Sequence, residues 1–319
     1  MFPLITLLAL LGDRLFGYPP ALQRRTGHPV QWLGAVIGFL DRTLNRPSLD
    51  KVSGRMRGAL ALSLALALVL AVSLPLALVL RAIPYGFILE ALLAIAFLAQ
   101  RDLARAVVAV ADGLDRSLAQ GRAAVSHIVG REPALLDRSD VARAAIESLA
   151  ENASDAVVAP TLWLMLFGLP GIVVYKLVNT ADSMIGHRSL RYRHFGWAAA
   201  RLDDVVNLPA SRLTGLLLAA AAALDGRGRA ALGTMWRDAS RHISPNAGWP
   251  EAAMAGALDL ALGGRRSYEG RNLDLPWLGS GRKDLDQDDI RRALKLYARM
   301  LNLLLILMAA SATAAILAG

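Results

Sequence analysis

Apolar residues run without a charge through residues 58–80, a stretch of about 23 positions that can cross a hydrocarbon core with some tilt. The turn Arg81-Ala82-Ile83-Pro84 follows, and 85–99 returns with Glu90 as its only charge, so the two segments predict a helical hairpin. Residues 300–318 form a third clean span. Two further apolar stretches are broken or short: 156–175, interrupted by Gly168-Leu169-Pro170-Gly171, and 208–224. Both read as kinked or re-entrant segments, which membranes tolerate only beside protein or a polar cavity. Polar regions fill 12–56, 100–155, 176–207 and 225–296. Within them the spacing of Trp32, Val36 and Phe39/Leu40 predicts a helix over 30–44. Gly130-Arg131-Glu132-Pro133 predicts a break, and Asp137-Arg138-Ser139-Asp140 an N-cap for the helix that follows. The pattern therefore predicts an all-α, polytopic integral membrane protein with sizeable cytosolic helical loops. Residues 1–319 read as a single membrane-embedded catalytic domain.

Composition agrees with that division. The chain is 55% hydrophobic but still 19% charged, and its mean hydropathy is +0.41. Absence of cysteine excludes disulfides, iron–sulfur clusters and thiolate zinc sites. The net charge of +9 is mostly arginine and lies outside the apolar segments, as attraction to an anionic membrane surface and the positive-inside bias require. No compact basic run is interleaved with aromatics, which argues against nucleic acid as a partner. Residues 1–11 lack a basic n-region and a small-residue cleavage site, so they read as part of the mature protein.

Three polar strings lie beside apolar segments. In a helix, Glu147, Glu151 and Asp155 fall at i, i+4 and i+8, within an arc of about 80°. Like charges on one stripe repel and are expensive near lipid, so a cation is needed: a metal ion, or a phosphate-bearing ligand held through one. The second string places Lys176, Asn179, Asp182 and Ser183 within about two turns. The third, around Arg201, Asp203, Asp204 and Asn207, offers the hard oxygen donors that suit Mg²⁺. A turn-dense run over 242–251 adds Asn246 and Glu251, and such loops often close over ligands. No Walker A, G-x-G-x-x-G, H-E-x-x-H or G-x-S-x-G pattern occurs.

The strings ESLAENASDAVVAP (147–160), YKLVNTADSMIG (175–186), ARLDDVVNL (200–208) and SPNAGWPEA (244–252) resemble the CobD/CbiB family of cobalamin biosynthesis. The early Asp13, Gly17, Pro19 and His28-Pro29-Val30 and the late Gly279, Asp286 and Asp288-Asp289 fit in the same order. Where the family usually carries Gly-Asp-Pro, this chain has Gly17-Tyr18-Pro19. The resemblance implies a multi-pass enzyme of the inner membrane, an adenosylcobinamide-phosphate synthase. Such a ligase joins (R)-1-amino-2-propanol O-2-phosphate, or the free aminopropanol, to the carboxyl of adenosylcobyric acid, with ATP as co-substrate and Mg²⁺ as cofactor. On that reading Glu147, Glu151, Asp155, Lys176 and Asp182 are catalytic. Asn152, Asn179, Ser183, Arg201, Asn207, Asn246 and Glu251 bind substrate, and Asp182, Asp203 and Asp204 hold the metal. Expected partners are the corrinoid, aminopropanol phosphate and membrane lipid, with other cobalamin-assembly enzymes or a homo-oligomer beyond them. The alternatives are a membrane transporter for corrinoid or ions, and a non-catalytic membrane sensor of the AmpE type.

Overall fold

The computed structural model describes residues 1–46, 50–129, 133–187, 189–268 and 271–318. The expected break at Gly130-Arg131-Glu132 lies outside them. Fourteen α-helices and one hairpin follow in order: α1 Phe2–Leu15, α2 Pro20–Thr26, α3 Pro29–Leu44, α4 Lys51–Ala82, α5 Gly86–Ile95, α6 Gln100–Arg116, α7 Leu118–Val125, α8 Arg138–Ala153, α9 Ala159–Phe167, α10 Leu169–Ile185, α11 Trp197–Ala223, α12 Gly228–Asp238, α13 Gly248–Leu258, β1 Leu262–Tyr268, β2 Arg271–Leu278 and α14 Gln287–Leu317. The protein is all-α apart from the antiparallel β1–β2 pair, in which Leu262 faces Leu278 and Tyr268 faces Arg271. That hairpin is absent from the hydropathy pattern.

Among the described residues three helices are long and apolar enough to cross a membrane: α4, α11 and α14. This makes the chain a membrane protein. The second and third enlarge or correct the sequence expectations. The segment 208–224 is not broken. It is the second half of α11, which runs on through Pro209. Proline removes one ladder donor there, and nearby the carbonyl of Val206 accepts the Trp163 indole N–H at 3.2 Å. The segment 85–99, in contrast, yields only the ten-residue α5, about 15 Å long and too short to span. The break in 156–175 is real: α9 ends at Phe167, Gly168 takes φ +69°, and α10 starts at Leu169.

Where the pattern suggests one domain, the chain divides into two compact units: residues 1–99, 159–207 and 308–319, and residues 100–158 and 208–307. In the first, α10 is the hub, packing on α3, α4, α5 and α9, while α1 packs on α5 and α9. One side of α4 is buried at Ala61, Ala65, Val69 and Ala77, while Leu60, Leu64, Leu68 and Val72 stay exposed, as a lipid-facing helix requires. The end of α10 is pinned through Glu90. This side chain is fully buried, is held by Arg81 through Nε and Nη2 at 3.0 and 2.6 Å, and accepts the Leu169 N–H at 2.9 Å. A Cβ at Gly168 would come within 2.7 Å of that carboxylate, so both the positive φ and the space call for glycine.

In the second unit α8 is central, packing on α6, α7, α13 and β1. Asp137 caps it as expected, accepting the Asp140 N–H at 2.8 Å. Every residue from Val141 to Ala150 is buried, so α8 is enclosed on all sides and not merely along one stripe.

Candidate functional site

Helix α10 and the first half of α11 bring the second and third polar strings together inside the first unit. Asn179 Nδ2 donates to Asp203 Oδ1 at 3.4 Å. Tyr175 OH donates to Asn207 Oδ1 at 2.9 Å, and Asn207 Nδ2 donates to the carbonyl of Asp203 at 3.2 Å. Asp182 sits within electrostatic reach of both Asp203 and Asp204. Burial, then the charge of Asp204, pushes the Asp182 carboxyl above the usual carboxylate range, against a smaller opposing pull from His187. Lys176, buried on the same helix, bears the only ammonium in this string. Arg201 is exposed and pairs with Asp204 at 3.4 Å, so it lies at the rim, as does exposed Ser183, whose hydroxyl donates to the Asn179 carbonyl.

Space for Asp182 comes from Gly186, one turn on. Gly186 has an ordinary helical φ of −73°, but a Cβ there would fall on the Asp182 carboxylate. The glycine is required by volume and not by conformation.

Among the described residues no group of three or more His, Asp or Glu is gathered closely enough to hold a metal ion. Asp182, Asp203 and Asp204 thus do not form a ready-made cage. A small acidic group beside a buried lysine still fits Mg²⁺, which commonly takes only one or two carboxylates and completes its shell with phosphate oxygens and water.

The first string behaves differently. The stripe lies in the second unit, and its members occupy distinct environments. Glu147 is 3% exposed, and its Oε1 accepts the Gly263 N–H at 2.6 Å, bracing the start of β1. Glu151 is exposed, and Asn152 folds back onto Ser148, donating to its carbonyl at 2.9 Å. Asp155 lies in a π-helical turn, Ser154–Val158, that interrupts the i+4 register assumed for the stripe. In the same turn the Ser154 hydroxyl is buried without a hydrogen-bond partner among the described residues. A widened turn of this kind is often kept at functional positions.

Asn246 and Glu251 are both buried in the second unit, and they gather residues that the motif reading passes over. Asn246 Oδ1 accepts Ser211 Oγ at 3.1 Å and Arg212 Nη1 at 3.0 Å, and the Arg212 guanidinium lies 4.6 Å from the Trp249 ring centre. Glu251, on the first turn of α13, is 3.8 Å from His242 Nε2, while His242 Nδ1 accepts the Ser244 N–H at 3.0 Å. Residues 248–258 are helix, so the expected ligand-covering loop is only the short turn before Gly248. Arg212 was visible beforehand as the one full charge inside the apolar run 208–224, a rare and usually functional placement.

Comparison with known proteins matches residues 6–297 to the family described as CobD/Cbib protein. A Sinorhizobium sp protein named "Cobalamin biosynthesis protein CobD" is 51% identical over 294 residues, covering 90% of this chain and 91% of its own. Proteins of the same name from Brucella suis and Rhodobacter capsulatus are 47% and 46% identical, the first covering 98% of this chain and 97% of its own, the second 93% of each. No solved structure matches. With nearly its whole length aligned to proteins of cobalamin biosynthesis, this chain belongs to the CobD/CbiB family.

Proposed function

We propose that the protein is an ATP-dependent amide ligase of the inner membrane, an adenosylcobinamide-phosphate synthase that crosses the bilayer several times. It joins (R)-1-amino-2-propanol O-2-phosphate, or free aminopropanol, to the carboxyl of adenosylcobyric acid. The observation that carries this reading is the cluster on α10 and α11. Lys176, Asn179, Asp182, Asp203, Asp204 and Asn207 come from two polar strings and sit in one unit, beside helices fit to cross a membrane.

A carboxylate oxygen is a poor leaving group; ATP activates it by transferring its γ-phosphoryl group, leaving as ADP, and Mg²⁺ would offset the phosphate charge. The chain's own residues do the rest. Asp203 and Asp204 would hold the metal, and Asn179 and Asn207 fix the donor set through the bonds described above. Lys176 neutralises phosphate oxygens, a role in which a partly desolvated ammonium is worth more than in water. Asp182 has a carboxyl held above its usual range and accepts the proton that the attacking amine must lose. The C–N bond forms as the C–O bond to phosphate breaks, and the phosphate leaves with its electron pair.

The test is ligation by the full chain in detergent or nanodiscs, with adenosylcobyric acid, aminopropanol phosphate and MgATP, and product read by mass spectrometry. Wild-type protein forms adenosylcobinamide phosphate, and Lys176→Ala, Asp182→Ala and Asp204→Ala each lose about a hundredfold or more. Wild-type turnover in all three would remove the site as drawn. Inner-membrane placement is checked by fractionation after an alkaline wash, where recovery in the soluble fraction contradicts it.

A further inference from the structure

The second unit contains a cavity of about 370 Å³ whose wall includes Arg227, Arg292, Lys295 and Arg299, opposed by only two carboxylates, Asp225 and Asp259. None of these residues belongs to the site predicted above. We propose that this cavity binds a phosphate-bearing anion carrying at least two negative charges.

Two of the guanidiniums are already positioned. Arg227 donates to the carbonyls of Ala257 and Gly256 at 3.4 and 3.3 Å, and Arg292 donates to that of Leu258 at 2.7 Å, so both cap the C-terminal end of α13. Fixing a guanidinium in this way removes much of the side-chain entropy cost of a later contact. The fork is not exhausted by it, because Nη1 of Arg227 makes no hydrogen bond among the described residues.

Arg299 and Lys295 stand one turn apart on α14. Arg299 pairs with Asp225 and Arg227 with Asp259 at 3.3 Å, but these two carboxylates are 58% and 74% exposed. Pairs so open to water contribute little, so a ligand anion can take over either cation at little cost. Arg292 also pairs with buried Asp289, which lies outside the cavity wall. Lys295 has no ion-pair or hydrogen-bond partner among the described residues. Four cations against two carboxylates leave the wall at +2. Planar guanidinium forks match phosphate oxygens in pairs, and a dianion suits the surplus better than a single carboxylate does.

Two sources share that chemistry: a soluble polyphosphate, and the headgroup of an anionic phospholipid. The test uses the full chain in phosphatidylcholine nanodiscs, with inorganic tripolyphosphate as probe and calorimetry as readout. A parallel arm counts cardiolipin, whose two phosphates carry two negative charges, retained on the protein by native mass spectrometry. Lys295→Ala is the first variant, since its side chain holds nothing in the fold, and Lys295→Arg is the rescue.

Tripolyphosphate binding that weakens about tenfold in Lys295→Ala, recovers in Lys295→Arg and falls with added salt supports a soluble ligand. Cardiolipin retained by wild type and lost from Lys295→Ala, with no tripolyphosphate binding, supports a headgroup. Failure of both probes to bind, or binding equal in wild type and Lys295→Ala, overturns the proposal. Because the readout is binding, these outcomes are independent of whether the chain ligates corrinoid.

Discussion

Glu90 offers a direct measure of how the first unit holds the helix that bears its site. One carboxylate ties the Arg81 guanidinium by two bonds of 3.0 and 2.6 Å and the first N–H of α10 by a third of 2.9 Å. Glu90→Ala strands all three donors at a position with no exposure. Removing one partner of a buried pair costs about 3–5 kcal/mol. The Arg81 side chain is still 21% exposed and stacks 4.6 Å from the Phe2 ring centre, so some of its solvation survives. The expected loss is therefore at the lower end, about 3 kcal/mol. Glu90→Gln keeps the volume and one oxygen for the Leu169 N–H but loses the charge, for about 1–2 kcal/mol. Replacing both partners by leucine should cost less than Glu90→Ala alone, because an apolar pair leaves no stranded charge. The assay is reversible denaturation of the detergent-solubilised protein followed by tryptophan fluorescence, with ligation measured on the same samples. Since Leu169 opens α10, activity should fall in Glu90→Ala even where the protein stays folded. A Glu90→Ala protein within about 0.5 kcal/mol of wild type would refute the reasoning, as that is the scale of an ordinary surface change.

Asp182→Asn should abolish ligation yet stabilise the fold at neutral pH. The folded carboxyl is held above its unfolded value, so its contribution to stability is full below that value and is lost as pH rises through the folded one. The variant's advantage should accordingly vanish in acid, and an advantage constant with pH contradicts the assignment. Gly186→Ala should reduce ligation and also cost some stability, since the new methyl meets both the Asp182 carboxylate and, at 2.6 Å, its backbone carbonyl oxygen; unchanged turnover counts against Asp182. Burial pushes the carboxyl of Asp238, 1% exposed, upward, but bonds from Arg237 and the Gly279 N–H, with the charges of Arg237 and Arg241, together outweigh it and hold the group below the usual carboxylate range. Its contribution is present above the unfolded value and is lost as pH falls through the folded one. Asp238→Asn should thus cost about 2–3 kcal/mol at neutral pH and little in acid, as read by unfolding at several pH values.

Much of this protein is local in origin and was legible in the chain itself. The charge-free run that became α4, the proline-started α3, the Asp137 cap and the glycine break before α10 all depend on neighbours a few residues away. Composition and spacing also marked the polar strings on α10 and α11 as gathered polar groups with hard oxygen donors. What a helical face meets, in contrast, is not written in its period. Glu147, Glu151 and Asp155 share a stripe on paper, yet Glu147 ends on a backbone N–H 116 residues away while Glu151 faces outward. The Glu90 anchor reaches 79 residues to Leu169, and α11 runs through Pro209 into a stretch whose composition suggested a break. These outcomes were decided by tertiary structure, because the partner that makes a buried polar group affordable comes from elsewhere in the chain. Only folding brings the two together.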